Sequence, residues 1–240
     1  MTGADHIKRL DKLKTLRTPL EQYWREAYDY TYPLRGQKFS ATGMDSAGVA
    51  SAARAQQSRI YDGTASKAVR LLASALMSGL TPANSRWFGL NTYAADDQQA
   101  KTWLDGVADT LWQNIHASNY DVAAYEAMVD LCVSGMFALY VEPAALESGQ
   151  PYLFQQWTLH SIWCADSKGK GLVDTVYRSF TLTAQQAFAE YGDKVSEKIR
   201  TTVDKKPDER FEFITAIYPR EKPSLRELPI AAEHVEMQTK

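Results

Sequence analysis

An α+β fold is predicted for this 240-residue chain, on three observations. Up to about residue 135, apolar residues recur at helical spacing, so a helical array is expected there. Beyond residue 136 the period changes to short β-branched and aromatic runs separated by turn residues, the pattern of antiparallel strands. The composition, 45% hydrophobic and 23% charged, is that of an ordinary globular protein with enough apolar material for a sizeable core.

In the first segment, Ile7, Leu10, Leu13 and Leu16 recur every third residue and are expected along one side of a helix. Thr18-Pro19-Leu20-Glu21 reads as a restart, with Thr18 as N-cap, Pro19 at the first helical position and Glu21 closing a capping box. The following helix carries Tyr23, Trp24, Tyr28, Tyr30 and Tyr32, and Pro33 is expected to end it. Residues 40–58 are small and polar and read as a mobile loop, turning helical towards Arg54.

Ala68, Leu71, Leu72, Ala75, Leu76 and Gly79 form one apolar stripe of a strong helix, stopped by Gly79 and Thr81-Pro82. Arg86 to Leu90 reads as a strand or an anchored loop. Asp96-Asp97 is placed at the start of the next helix, where acids suit the positive helix end. Its buried face is expected to be Ala100, Trp103, Leu104, Val107, Ala108, Leu111 and Ile115. Asn119 and Asp121 start another, with Val122, Tyr125, Met128, Val129 and Cys132 turned inward.

Strands are expected at Phe137–Val141 and Tyr152–Trp157, and a hairpin where Ser161–Ala165 and Leu172–Phe180 flank the turn at 166–171. Thr183 with Gln186 makes a capping box for a short helix that Gly192 ends. Phe211, Phe213, Thr215 and Ile217 mark a last strand, and residues 221–240 read as a polar tail without a packing element.

Charge excludes a global basic field, since the net value is −2. Its distribution is uneven. Residues 1–60 carry ten basic and six acidic groups, residues 61–193 seven and fourteen, and residues 194–240 ten and nine. Two cysteines, Cys132 and Cys164, make no disulfide framework and suit a reducing compartment. No apolar signal core opens the chain, and the longest mainly apolar stretch, Leu131–Val141, is too short to span a bilayer. A soluble, intracellular protein with no membrane partner is the expectation.

Chemistry-bearing motifs are absent or local. Gly169-Lys170-Gly171 lacks the earlier glycine and the following hydroxyl of a phosphate loop and reads as a turn tip. Ser167 and Lys170 sit in the same turn and would not share a helix face. His160 and Cys164, four apart in an extended segment, would lie roughly 13 Å from each other, too far for one metal. Asp96-Asp97 and Asp208-Glu209 are accounted for by helix capping and a solvated loop. No catalytic, cofactor-binding or metal-binding residue is assigned, and no enzyme activity is expected.

The order of the motifs carries a resemblance. Residues 17–35 (RTPLEQYWREAYDYTYPLR) resemble the opening helix of the portal, or head-to-tail connector, proteins of T7-like short-tailed bacteriophages, through Glu21, Trp24, Glu26, Tyr30 and Pro33. Asp62-Gly63-Thr64, the small-residue helix to Gly79, Leu80-Thr81-Pro82 and Trp87-Phe88 are similar to the family's best marker. Gly135–Glu142, the 166–171 turn, Arg178–Phe180, the Thr183–Gln186 box and Ile217–Arg220 follow in the family's order. The likeness runs over roughly residues 5–220, on packing motifs that imply no catalytic residue.

That resemblance implies a subunit of a dodecameric ring at one capsid vertex of the virion, assembled in the host cytoplasm. Double-stranded DNA would pass through its channel without sequence recognition during packaging and ejection. A terminase motor, tail adaptor proteins, and scaffold and capsid proteins would be the partners. Residues 1–135 and 136–220 would belong to the wing, and 221–240 would lead towards stem and clip regions beyond Lys240. Subunit or core packing is expected for Trp24, Tyr28, Leu72, Ala75, Leu76, Gly79, Trp87 and Phe88. Two other readings stand beside it. One is a nucleic-acid-binding module using Lys8, Arg9, Lys12, Lys14 and Arg17. The other is a hydrolase whose site is assembled from distant residues.

Overall fold

The computed structural model describes residues 2–39, 46–92, 98–145, 148–221 and 230–237. Among them the order is α1 (Gly3–Thr31), α2 (Pro33–Lys38), α3 (Ser46–Gln57), α4 (Thr64–Leu80), α5 (Gln98–Ala117) and α6 (Tyr120–Ser134). Then follow β1 (Ala138–Pro143), β2 (Tyr152–Trp157), β3 (Ile162–Ala165), β4 (Thr175–Thr183), α7 (Ala184–Tyr191), α8 (Glu197–Lys205), β5 (Arg210–Pro219) and β6 (Ile230–Glu236). The fold is α+β, with helices first and antiparallel strands after residue 137.

Contacts group the chain into two compact units, 1–21 with 161–240 and 22–160. This grouping does not follow the change from helix to strand.

In the first unit, β3-β4-β5-β6 form an antiparallel sheet. β5 is the strand that organises it. Phe211 and Phe213 face α7 and α8, packing with Ala184, Ala187, Val195 and Ile199. Ile214 and Ala216 face the other way, onto Leu10, Trp163 and Tyr177. Both faces of the strand are therefore covered, and burial is unbroken over Phe213–Ala216, the polar Thr215 included. Each fully buried aliphatic side chain such as Leu10 or Ile199 contributes about 1.5–3 kcal/mol of apolar transfer.

α7 starts as its sequence requires. The Gln186 N–H donates to Thr183 Oγ1 at 3.2 Å, and the Thr183 N–H donates to Gln186 Oε1 at 3.0 Å, closing the capping box. Gly192 ends the helix with φ +56°, a value that disfavours any Cβ.

In the second unit, α6 lies against α4, α5 and the β1-β2 hairpin. Its alanines Ala123, Ala124 and Ala127 are buried and admit close neighbours. Gly135 adopts φ +75° as the left-handed residue just past the helix, which turns the chain into β1.

Several expectations are corrected. Helix α1 runs through Pro19 without a restart. Thr18 Oγ1 donates back to the Lys14 carbonyl at 3.1 Å instead of capping, and Glu21 accepts from Arg17 at 2.6 Å. Leu16 is 74% exposed. A strict three-residue spacing drifts about 60° per step around a 3.6-residue helix, so Leu16 faces away from Ile7. Trp103 and Val122, expected inward, are 67% and 69% exposed for a similar reason, because the buried sides of α5 and α6 centre on Ala108 and on Ala124–Ala127.

The mobile loop expected at 40–58 is helix α3 over Ser46–Gln57, whose Val49 and Ala53 are buried. Its portion 40–45, like Asp96-Asp97, lies outside the described residues. The tail expected to lack packing contains β6, paired with β5 from Phe213↔Glu236 to Pro219↔Ile230. Backbone pairing needs no strong side-chain pattern, so a strand with Glu233, His234 and Glu236 was hidden. Helix α8 was also not anticipated. The Ser196 hydroxyl accepts from the Ile199 N–H at its start.

Candidate interaction surfaces and a buried polar network

Helix α6 begins with Asn119, whose side chain does not cap the helix. It reaches the hairpin instead. Asn119 Nδ2 donates to the Phe154 carbonyl at 2.7 Å and Oδ1 accepts from the Phe154 N–H at 2.8 Å. A side-chain amide thus pairs with strand β2 as another strand would, fixing its register on α6. Tyr120, next in sequence, meets Phe154 edge-on at 5.1 Å and stacks with Trp87 at 6.1 Å.

One turn before the end of α6 stands Asp130, fully buried. Its carboxylate accepts from Tyr28 Oη at 2.7 Å, from Arg35 Nη1 and from Gln156 Nε2. Arg35 also donates to the Glu126 carbonyl at 3.2 Å, and Tyr32 lies 5.3 Å below its guanidinium. Burial raises the Asp130 carboxyl above its ordinary value, against the attraction of Arg35 and the hydrogen bonds it accepts. Burial and the adjacent carboxylate push the Tyr28 phenol further up. The phenol therefore stays protonated and able to donate. The network ties α1, α2, α6 and β2 together, and its charges are matched within it.

The residues expected to pack separate into two groups. Tyr28 is buried in this network, Leu76 is half-buried beside Ala73, Met128 and Val129, and Trp24 is half-buried with Phe39 at 6.4 Å. Phe88 is half-buried and meets Trp87 edge-on at 4.9 Å. Leu72, Ala75 and Gly79 lie exposed, and Trp87 keeps 37% of its surface. Within the chain, α4 instead buries Ala73, with Val69 and Met77, against α6. Helix α4 therefore carries a second apolar side, on which Leu71 is 74% and Leu72 51% exposed. Trp87 sits on the segment Arg86–Leu90, an anchored loop. Arg86 donates to the Asp105 carbonyl at 3.0 Å and reaches the carboxylates of Asp105 and Asp109, each at 3.2 Å.

The basic N-terminal face is partly spent inside its own unit. Arg9 donates to Ser167 Oγ at 2.7 Å. Arg17 donates to the Ile162 carbonyl, pairs with Glu21 and lies 4.3 Å over Trp163. The hairpin tip holds itself through Asp166, which accepts from the Lys168 N–H at 2.8 Å and from Gly171. Ser167 and Lys170 thus belong to a turn. His160 Nδ1 lies 2.8 Å from Thr158 Oγ1, and the Cys164 thiol is pushed up by burial. Among the described residues no group of three or more His, Cys, Asp or Glu is placed to hold a metal, and no helix is long and apolar enough to cross a membrane.

The sequence profile of a family described as bacteriophage head to tail connecting protein matches residues 4–239. The portal protein of Salmonella phage epsilon15 is 29% identical over 199 residues, which are 81% of this chain and 34% of that protein. The probable portal protein of Bordetella phage BPP-1 is 27% identical over 219 residues, 89% of this chain and 38% of that protein. The chain spans about a third of the length of these relatives.

Proposed function

Because the chain belongs to the family of bacteriophage head to tail connecting proteins, we propose that it is a structural subunit of a portal ring at one capsid vertex. In this reading the ring encloses the channel for DNA packaging and ejection and offers the attachment point for tail proteins. A terminase motor docks on it during packaging, scaffold and capsid proteins surround it, and its place is the virion, after assembly in the host cytoplasm. Its role is assembly and docking rather than catalysis.

The observation that carries the reading is the match of the family over residues 4–239. The structure supports it with a helix, α4, that has one apolar side buried against α6 and another left exposed. A repeating subunit needs such spare faces, because each copy must contact two neighbours. The uneven charge fits a channel protein that lets DNA slide, since the acidic middle segment does not attract phosphate. The nucleic-acid module reading is weakened by Arg9 and Arg17, both engaged within their own unit.

The test is the native mass of the purified chain at moderate salt, by sedimentation or native mass spectrometry. A discrete ring-sized species is expected. A chain that stays monomeric overturns ring formation by these residues.

A further inference from the structure

The two sheets have four edge strands, and side chains close two of them. On β2, Asn119 holds both backbone groups of Phe154, and Ser118 Oγ accepts from the Tyr152 N–H at 3.2 Å. On β3, Arg17 donates to the outward carbonyl of Ile162. The other two edges, β1 and β6, are open. Alternation along an antiparallel ladder fixes which of their groups point out. Phe154 turns its backbone groups to Asn119, so Val141 opposite it turns its own N–H and C=O away from β2, as does Leu139 two residues earlier. At the end of β6 the Met237 N–H donates to the Glu212 carbonyl at 2.9 Å. Counting back from that bond, Ala232 and His234 direct their N–H and C=O away from β5. Among the described residues, the outward backbone groups of these four make no hydrogen bond. Val141 is 53% exposed, and Ala232 and His234 are exposed as well.

We propose that β1 takes β6 of a second copy of this chain as an added antiparallel strand, joining the two-stranded sheet of one copy to the four-stranded sheet of the next. The inference rests on the ring reading above and names its contact. The chemistry of the edge names its occupant, because outward N–H and C=O groups at alternate residues match another extended backbone. Strand β6 offers them at the same spacing. With Val141 opposite Ala232 and Leu139 opposite His234, each pair exchanges two hydrogen bonds. Glu142 then faces Ala231. A slip of two residues one way sets Glu142 against Glu233, a repulsion. A slip the other way needs the Ile230 carbonyl, which already accepts from Arg220 at 3.3 Å. Pairing β1 with β1, or β6 with β6, would join a surface to itself and close a dimer. Pairing β1 with β6 joins different surfaces, the head-to-tail type of contact that closes rings.

Val141→Pro tests this at small cost to the fold, since the N–H it removes is one that β2 does not use. Circular dichroism and thermal unfolding of the variant should match the parent, while its association, read by sedimentation, should weaken about tenfold. A second reading uses Val141→Cys and Ala232→Cys chains, mixed and oxidised, on a non-reducing gel against the parent carrying Cys132 and Cys164. Residues so paired have Cα atoms about 5.5 Å apart, within the span of a disulfide. A linked pair is expected from the mixture and not from either variant alone. Dimers from Val141→Cys alone, equal to those from the mixture, would mean that two β1 edges meet and would overturn the proposal. So would an assembly that shows no link and is undisturbed by Val141→Pro, an outcome that leaves the ring reading intact. A monomeric parent without the link overturns both.

Discussion

Tyr28 donates its phenolic hydrogen to Asp130 at 2.7 Å, joining two residues 102 positions apart in the chain. Arg35 supplies the compensating charge to the same carboxylate. Tyr28→Phe removes one donor and leaves the buried carboxylate short of a partner, so a loss of about 1–3 kcal/mol is expected. Asp130→Ala strands Arg35, only 8% exposed, and should cost about 3–5 kcal/mol. Urea denaturation of the two variants checks the order. Equal midpoints for Tyr28→Phe and the parent would show that the bond contributes nothing net.

The two sides of α4 should respond differently to the same change. Ala73 is fully buried against Met128 and Val129, so Ala73→Leu overpacks that contact and should destabilise by about 1–3 kcal/mol. Ala75 is exposed on the other side, and Ala75→Leu should alter stability by no more than about 0.5 kcal/mol. Thermal unfolding of both variants under one condition makes the comparison. A destabilisation by Ala75→Leu matching that of Ala73→Leu would place both residues in the core.

Thr183 caps α7 from both directions, and Thr183→Ala removes the hydroxyl that accepts from Gln186. A loss of about 1 kcal/mol is expected. Thr183→Ser should retain most of the parent's stability, because it keeps the oxygen. If serine and alanine are equally damaging, the methyl packing and not the cap is what matters.

Acid should release the tip of the β3–β4 hairpin. Backbone N–H groups, first that of Lys168, hold the Asp166 carboxyl below its ordinary value of 3.8. A depressed folded value means that the stabilisation is complete above 3.8 and is lost as pH falls below that through the folded value. The amide shifts of Lys168 and Gly171, followed by NMR, should titrate with a midpoint under 3.8, and Asp166→Asn should abolish that step. A midpoint at or above 3.8 in the parent contradicts the assignment.

Cys164 is half-buried on β3, and desolvation raises its thiol, although Arg17 works against the rise. Slow alkylation at neutral pH is expected in the folded chain, accelerating when urea unfolds it. Mass spectrometry of tryptic peptides after timed iodoacetamide treatment reads the rate. Labelling of Cys164 as fast as that of a free thiol peptide would show that β3 is open.

Local rules were legible where the interaction is local. The Thr183–Gln186 box, the stop at Thr81 and the helix break at Pro33 all rest on atoms within four residues, and each is found. Both hairpins follow from turn residues between apolar runs. The candidate surfaces were half legible. The stripe Ala68–Gly79 was read from its spacing, but its burial within the chain was not decided by that spacing. Helix α8 and strand β6 escaped notice because few of their side chains are strongly apolar, and their places depend on neighbours distant in sequence.

The sequence by itself determined the α+β class, the order of most elements and, through ordered packing motifs, the family. These are properties of periodicity, capping and turn chemistry, which act over one or two turns of chain. Tertiary structure alone decided which faces find partners. It put Ala73, not Leu72, against α6, and left Trp103 in the open. It also gathered Tyr28, Arg35 and Gln156 around Asp130. The physical reason is that spacing sets only the angle of a side chain around its own helix. Whether that angle meets water or another element depends on how distant segments pack, because burial of a charge or a large ring is favourable only where a matching surface arrives.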